Sequence, residues 1–77
     1  MAHSVHLVRC DSSRNMARFY RLELSLTLFG EMVLIRRWGR IGTEGRWQES
    51  LLADSSDGLS SLQVWRQKKQ RRGYRAV

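Results

Sequence analysis

The chain has 77 residues, with 14 Lys and Arg against 7 Asp and Glu, which gives a formal net charge of +7. This length allows one domain, residues 1–77, and argues against a dinucleotide-cofactor enzyme, because little room remains to enclose a deep pocket. One cysteine and two histidines exclude a disulfide framework and a multi-cysteine zinc site, so we expect no cofactor and no metal.

The first half of the chain predicts β-strands. Residues 5–10 form a short β-like run, and the polar residues 11–15 form a loop. Between residues 19 and 28 apolar and polar side chains alternate, and this pattern predicts a half-buried strand. Its apolar face would carry Tyr20, Leu22, Leu24, Leu26 and Leu28.

Two turns divide the next part of the chain. Residues 29–31 and 42–45 both contain glycine, which tolerates the positive φ that hairpins require. The intervening segments predict strands over 32–41 and 46–52. Together with the earlier segments they form an antiparallel meander.

A helix is predicted over residues 57–71. The polar run 54–57 supplies a cap, and Asp57 in the first turn complements the helix dipole. Leu59, Leu62 and Trp65 share one side of this helix, Gly73 ends it, and the tail 74–77 can supply an edge strand. The predicted fold class is therefore α+β: a small twisted antiparallel sheet of about four to five strands, packed by one amphipathic helix.

The charge favours a polyanionic partner, of which nucleic acid is the commonest; the alternative is a merely solvated cationic surface. The carboxylates form no obvious pair and the serines lack a nucleophile motif, so we expect no enzyme. Gly39, Gly42 and Gly45 fit turns and bulges better than a phosphate-binding loop.

The segment around Trp38 is a possible binding site. In a strand Arg36, Trp38 and Arg40 share a face, so that an indole lies between two guanidinium groups. Arginine forks onto phosphate, an indole stacks on a base or sugar, and Gly39 lets a ligand backbone approach. The alternative places Trp38 under the sheet with the arginines solvated around it, and the sequence favours neither.

A second basic cluster lies near the C-terminal end. Six cations fall within a ten-residue window: Arg66, Lys68, Lys69, Arg71, Arg72 and Arg75. They form either a solvated helix face or part of a binding surface. A continuous surface joining them to Arg40 would favour binding.

Three parts of the chain together resemble the WGR domain. Residues 28–45 contain the signature Trp38-Gly39-Arg40, and residues 15–22 contain an aromatic pair like that of an early strand of the family. Lys68 or Lys69, then Arg72-Gly73-Tyr74, is similar to the end of its helix. The family's frequent aromatic before the signature is absent, since Met32 and Val33 stand there. The resemblance implies a compact antiparallel sheet with one helix.

WGR domains occur in poly(ADP-ribose) polymerases, where they bind DNA near strand breaks and help relay damage to a catalytic domain, and in bacterial proteins. The resemblance implies that Trp38 packs against the terminal sugar or base at a break. It gives Arg36 and Arg40 a contact with phosphate or a neighbouring domain. Lys69, Arg72 and Tyr74 would extend the phosphate-contacting surface.

The sequence therefore predicts a free-standing, non-catalytic nucleic-acid-binding module, with duplex DNA or DNA ends favoured over RNA. The main alternative is a protein-interaction module that uses the Trp-Gly-Arg surface, since Trp and Arg are frequent interface hot spots. We expect a monomer without membrane contact, in the cytoplasm or on the nucleoid.

Overall fold

The computed structural model describes residues 3–77. The described chain forms one antiparallel sheet in the order β4-β3-β2-β1-β5 and one helix, α1. Their bounds are β1 His3–Asp11, β2 Met16–Leu26, β3 Met32–Arg40, β4 Arg46–Leu52, α1 Ser55–Arg71 and β5 Arg75–Ala76. The predicted α+β class is confirmed. Within residues 3–77, α1 lacks the length and apolarity that crossing a membrane would require.

The helix covers only one side of the sheet. Because side chains alternate along a strand, each strand contributes residues to two faces. We call the side that packs against α1 the helix face and the other side the open face. Tyr20 lies opposite Leu7 on β1 and Trp38 on β3, so these three side chains form one row across the helix face.

The core lies between the helix face and α1. Its buried residues are Leu7, Tyr20, Leu22, Leu24, Leu34 and Leu62, the last from α1. Fully burying a leucine contributes about 1.5–3 kcal/mol, so this short list supplies much of the driving force for folding. The alternation in β2 thus selects which face of the strand the helix covers.

The apolar face of β2 ends earlier than the sequence predicts. Tyr20, Leu22 and Leu24 are buried, but Leu26 is 57% exposed and Leu28 is fully exposed. The strand stops at Leu26 because the next residue, Thr27, begins the turn, and its hydroxyl accepts hydrogen bonds from the backbone N–H groups of Phe29 and Glu31. The prediction of a strand as far as residue 28 was therefore wrong.

The ends of α1 follow the predicted capping chemistry. The side chain of Asp54 accepts a hydrogen bond from the backbone N–H of Asp57 at 2.8 Å, which satisfies a free donor of the first turn. At the other end Gly73 adopts φ of +99°, a conformation that side-chain-bearing residues rarely adopt. The turn after it places β5 beside β1, which confirms the predicted edge strand.

The inward face of α1 is rotated from the predicted one. Leu62 is buried and Trp65 half-buried, but Leu59 is 41% exposed. Gly58 takes the inward position instead, because a Cβ there would lie only 3.2 Å from atoms of Leu24 and Met32. The helix begins so close to the sheet that a side chain at position 58 would crowd Leu24 and Met32. The placement of Leu59 in the core was therefore wrong.

Candidate nucleic-acid interface

A groove on the helix face opens between the C-terminal end of α1 and the first three strands. It has a volume of about 470 Å³. Its walls carry five cations and no carboxylate, and we call it the basic groove. The lining residues are Arg9, Arg18, Tyr20, Trp38, Gly39, Arg40, Lys69, Arg72 and Tyr74.

A row of three arginines crosses one end of the basic groove. Arg18 on β2 lies directly opposite Arg9 on β1 and directly opposite Arg40 on β3. Like charges in directly opposed positions destabilise a sheet. A bound anion would relieve this repulsion, so the row favours a negatively charged ligand.

Two of these arginines lie against neighbouring turns. The Arg40 guanidinium donates a hydrogen bond from Nη1 to the carbonyl oxygen of Asn15 at 3.3 Å. Asn15 presents that carbonyl from a left-handed conformation, with φ of +50°, at the end of the β1–β2 turn. Arg9 runs beside Gly73, where a Cβ would lie 3.3 Å from its Nε. The row of arginines is therefore bordered by a turn at each end.

Tyr20 is the centre of an aromatic cluster beneath the groove. It is 2% exposed, and its ring stacks on Trp38 at a centroid distance of 6.2 Å and on Trp65 at 6.4 Å. The ring of Tyr74 meets it edge-on at 6.2 Å. Trp38 is half-buried, packs against the core and also lines the groove. Trp38 therefore packs on the core with part of its ring, as the alternative interpretation has it, and its contact with nucleic acid stays a prediction.

Arg36 lies beside the basic groove rather than in its lining. Its Cζ is 4.1 Å from the ring centroid of Trp65 and 5.5 Å from that of Trp38. Its Nη1 donates to the Tyr20 hydroxyl at 3.3 Å, and its Nη2 donates to the side-chain oxygen of Gln48. Both terminal nitrogens donate hydrogen bonds to side chains of the same molecule, so this arginine stabilises the aromatic cluster.

Lys69 brings a charge from α1 over the aromatic cluster. Its Nζ lies 4.5 Å from the ring centroid of Tyr20 and 5.8 Å from that of Tyr74. Burial lowers the pKa of Lys69, and the nearby charges of Arg72, Arg36 and Lys68 lower it further. The charged lysine therefore lies partly buried and close to other cations.

Gly39 is required by close packing within the chain. A Cβ at Gly39 would lie 2.8 Å from the Cα of Gly45, and one at Gly45 would meet the Trp38 carbonyl and lie 2.8 Å from the Phe19 ring. The β3–β4 turn therefore folds tightly against the signature. The space that the sequence analysis assigned to a ligand backbone is occupied by the protein's own turn.

Six of the seven predicted site residues line the basic groove, and Arg36 is the seventh. Of the C-terminal cations, Lys69 and Arg72 join Arg40 there, whereas Arg75 lies opposite Val8 on the open face. The sequence analysis missed three lining residues: Arg9, Arg18 and Tyr20. Only the pairing register between strands places these residues beside the others, and alternation within one strand does not reveal that register.

Comparisons with known proteins agree with this architecture. A crystal structure of a Bacteroides fragilis protein superposes with a TM-score of 0.77 at 16% identity, covering 97% of this chain and 19% of that chain. This likeness shows the fold alone.

The relation to a curated protein is closer in sequence. The uncharacterised protein y4dW of Sinorhizobium fredii (strain NBRC 101917 / NGR234) is 37% identical over 73 residues. The match covers 95% of this chain but 36% of that protein, so the chain spans about a third of the relative's length. The family model of the WGR domain matches residues 3–77. The chain therefore belongs to the WGR domain family.

Proposed function

We propose that this domain binds nucleic acid in the basic groove without catalysing a reaction, and that it prefers duplex DNA or DNA ends to RNA. One observation carries the proposal. Five cations line a groove that contains no carboxylate, beside the half-buried rings of Trp38 and Tyr74. This is the combination that a sugar-phosphate backbone with an accessible base or sugar requires.

The cations would neutralise successive phosphates. Guanidinium groups donate two parallel hydrogen bonds to a phosphate, whereas Lys69 contributes a compact charge. Each neutralised phosphate releases counterions, and five such contacts give a slope of log K against log salt of about −4 to −5. Binding is therefore expected to weaken steeply between low and physiological salt.

The aromatic residues would give the groove its preference for an end. Inside a duplex the faces of the bases are covered by their neighbours, but the last sugar and base are accessible. Trp38 lies next to Arg40 in the groove, so a terminal nucleotide can pack on the indole while its phosphate meets the arginine row. These contacts read charge and shape, and little base specificity is expected.

The test is a fluorescence anisotropy titration at about 0.15 M salt, where the Debye length is about 8 Å. The probe is a short blunt duplex, and the competitors are the same duplex closed by hairpin caps, a single strand and an RNA duplex. We expect the open duplex to compete best. Equal competition by open and capped duplexes would remove the preference for ends, and stronger competition by RNA would overturn the preference for DNA.

The two faces of the sheet provide a matched control. Arg18 and Arg40 are directly opposed in the basic groove, and Arg21 and Arg37 are directly opposed on the open face of the same two strands. The double variant Arg18→Gln with Arg40→Gln should weaken binding at least tenfold. Arg21→Gln with Arg37→Gln removes the same charge and should leave the affinity for a short duplex nearly unchanged.

The paired variants separate groove binding from attraction by net charge. Equal losses in the two variants would mean that any cationic surface of the chain binds DNA, and the groove proposal would fail. If the wild type binds no nucleic acid at this salt, the protein-interaction alternative replaces it.

A further inference from the structure

We infer that the open face of the sheet is a self-association surface, and that its occupant is a second copy of this chain. The inference concerns the side of the sheet opposite the basic groove. It depends on no property of nucleic-acid binding and replaces the expectation of a monomer.

Two rows of opposite character cross the open face. The basic row runs from Arg21 through Arg37 to Trp47, which are directly opposed on β2, β3 and β4. The acidic row lies two residues along each strand and consists of Glu23, Ile35 and Glu49. Together the six side chains line a shallow hollow of about 270 Å³.

The charged groups of these rows are unpaired. Among residues 3–77 the ion pair within 4.0 Å is that of Arg14 with Asp11, on the β1–β2 turn. Arg21 and Arg37 instead lie directly opposite each other, a placement that destabilises an isolated sheet. Opposite charges from outside the chain would relieve this repulsion.

Two apolar side chains at the edge of the open face lie largely in solvent, whereas Val33 on the same face is buried. Trp47 is 58% exposed and Leu51 is 67% exposed, both on the edge strand β4. Ile35 and Phe19 are half-buried on the same face. A tryptophan beside arginines is a frequent composition of interface hot spots.

The open face itself carries no net charge. Three cations of the open face are balanced by three carboxylates, namely Arg21, Arg37 and Arg75 against Glu23, Glu44 and Glu49. The excess positive charge therefore lies on the rest of the molecule. Two copies meeting through their open faces would keep their basic grooves on opposite outer sides.

The order of the rows selects one symmetric arrangement. A two-fold axis that runs across the strands, midway between the rows, places Arg21 opposite Glu23 of the other copy. Arg37 then faces Ile35, between the two carboxylates of the acidic row, and Trp47 faces Glu49. An axis along the strands would place arginine on arginine. The first arrangement gives two aligned sheets about 10 Å apart, and each strand faces its own counterpart.

Size also permits a stable contact. A standard interface buries about 800 Å² on each partner. The described chain measures 45 by 23 Å along its two longest axes, dimensions consistent with a five-stranded sheet whose longest strand has 11 residues. No extension of the chain is needed to reach the required area.

A charge-swap experiment tests the inference. The acidic variant carries Arg21→Glu and Arg37→Glu, and the basic variant carries Glu23→Arg and Glu49→Arg. Sedimentation velocity and light scattering should show a dimer for the wild type and monomers for each variant alone. An equimolar mixture of the two variants should restore the dimer, with an affinity at least tenfold higher than that of either variant for itself.

Two control variants are measured by the same sedimentation and light-scattering experiments. Arg71→Glu and Glu31→Arg change charge at exposed positions outside the open face and should leave the dimer intact. Circular dichroism verifies that each variant is folded. A monomeric wild type at 0.1 mM, or a mixture of folded variants that stays monomeric, would overturn the inference.

Discussion

Strands β2 and β3 present one arginine pair on each side of the sheet. Arg18 and Arg40 on the helix face, and Arg21 and Arg37 on the open face, are both directly opposed pairs. The helix-face pair is joined by Arg9, Lys69 and aromatic rings, whereas the open-face pair lies beside a row of carboxylates. The same local geometry therefore lies in a groove of cations on one side and on a charge-balanced surface on the other, because neighbouring elements decide what surrounds each pair.

Gly45 packs against both the backbone of Trp38 and the open face, and its substitution should have the largest effect on stability. The glycine has φ of +72°, and a Cβ there would meet the Trp38 carbonyl and lie 2.8 Å from the Phe19 ring of the open face. Gly45→Ala combines backbone strain with overpacking, so we expect a loss of about 3 kcal/mol or more in the free energy of unfolding, measured in urea.

Gly42→Ala is the matched control for this change. Gly42 belongs to the same turn and has φ of +97°, but nothing lies within 4 Å of an added Cβ. Strain alone should cost about 1–2 kcal/mol. Equal losses at the two glycines would show that close packing of the turn against Trp38 contributes nothing.

Local patterns predicted the turns, the caps and β4, because glycine, Asp54 and alternating side chains act on their immediate neighbours. They did not predict that Leu59 points outward, because the close approach of Gly58 to β2 and β3 is a tertiary contact. For the same reason they missed Arg9 and Arg18, which enter the basic groove only through pairing between strands.

Trp38 on the helix face and Trp47 on the open face sharpen the comparison between the faces. Trp38 packs on Tyr20 and the core, so Trp38→Ala should cost about 2–3 kcal/mol of stability and weaken binding of an open duplex at least tenfold. Trp47 is 58% exposed, so Trp47→Ala should cost less than about 1 kcal/mol and leave binding of a short duplex unchanged.

The conservative change Trp38→Phe separates folding from binding. A phenyl ring retains the packing on Tyr20, so most of the stability should return, while the smaller ring offers less surface to a terminal nucleotide. Unfolding is followed by circular dichroism and binding by anisotropy. Full binding by a stable Trp38→Ala variant would exclude the indole from the site.

The smallest expected effect concerns Lys69, where stability and binding should change in opposite directions. Its pKa in the folded chain is lowered from the ordinary value of 10.5, first by burial and then by nearby cations. Between the folded and unfolded pKa values the unfolded chain holds more protons, so stability rises with pH in that window. The charged lysine is therefore a cost to the fold at neutral pH.

Removing this charge should accordingly leave the fold as stable or slightly more stable. Lys69→Met at pH 7 should keep or raise the urea midpoint and abolish the contribution of this residue to the rise of stability with pH. It should also weaken DNA binding and make the salt slope about 1 unit less steep, since one phosphate contact is lost. Gln67→Met, at an exposed position of α1, controls for the added methionine. A fall in stability together with an unchanged salt slope would mean that Lys69 supports the aromatic cluster instead of serving a polyanion.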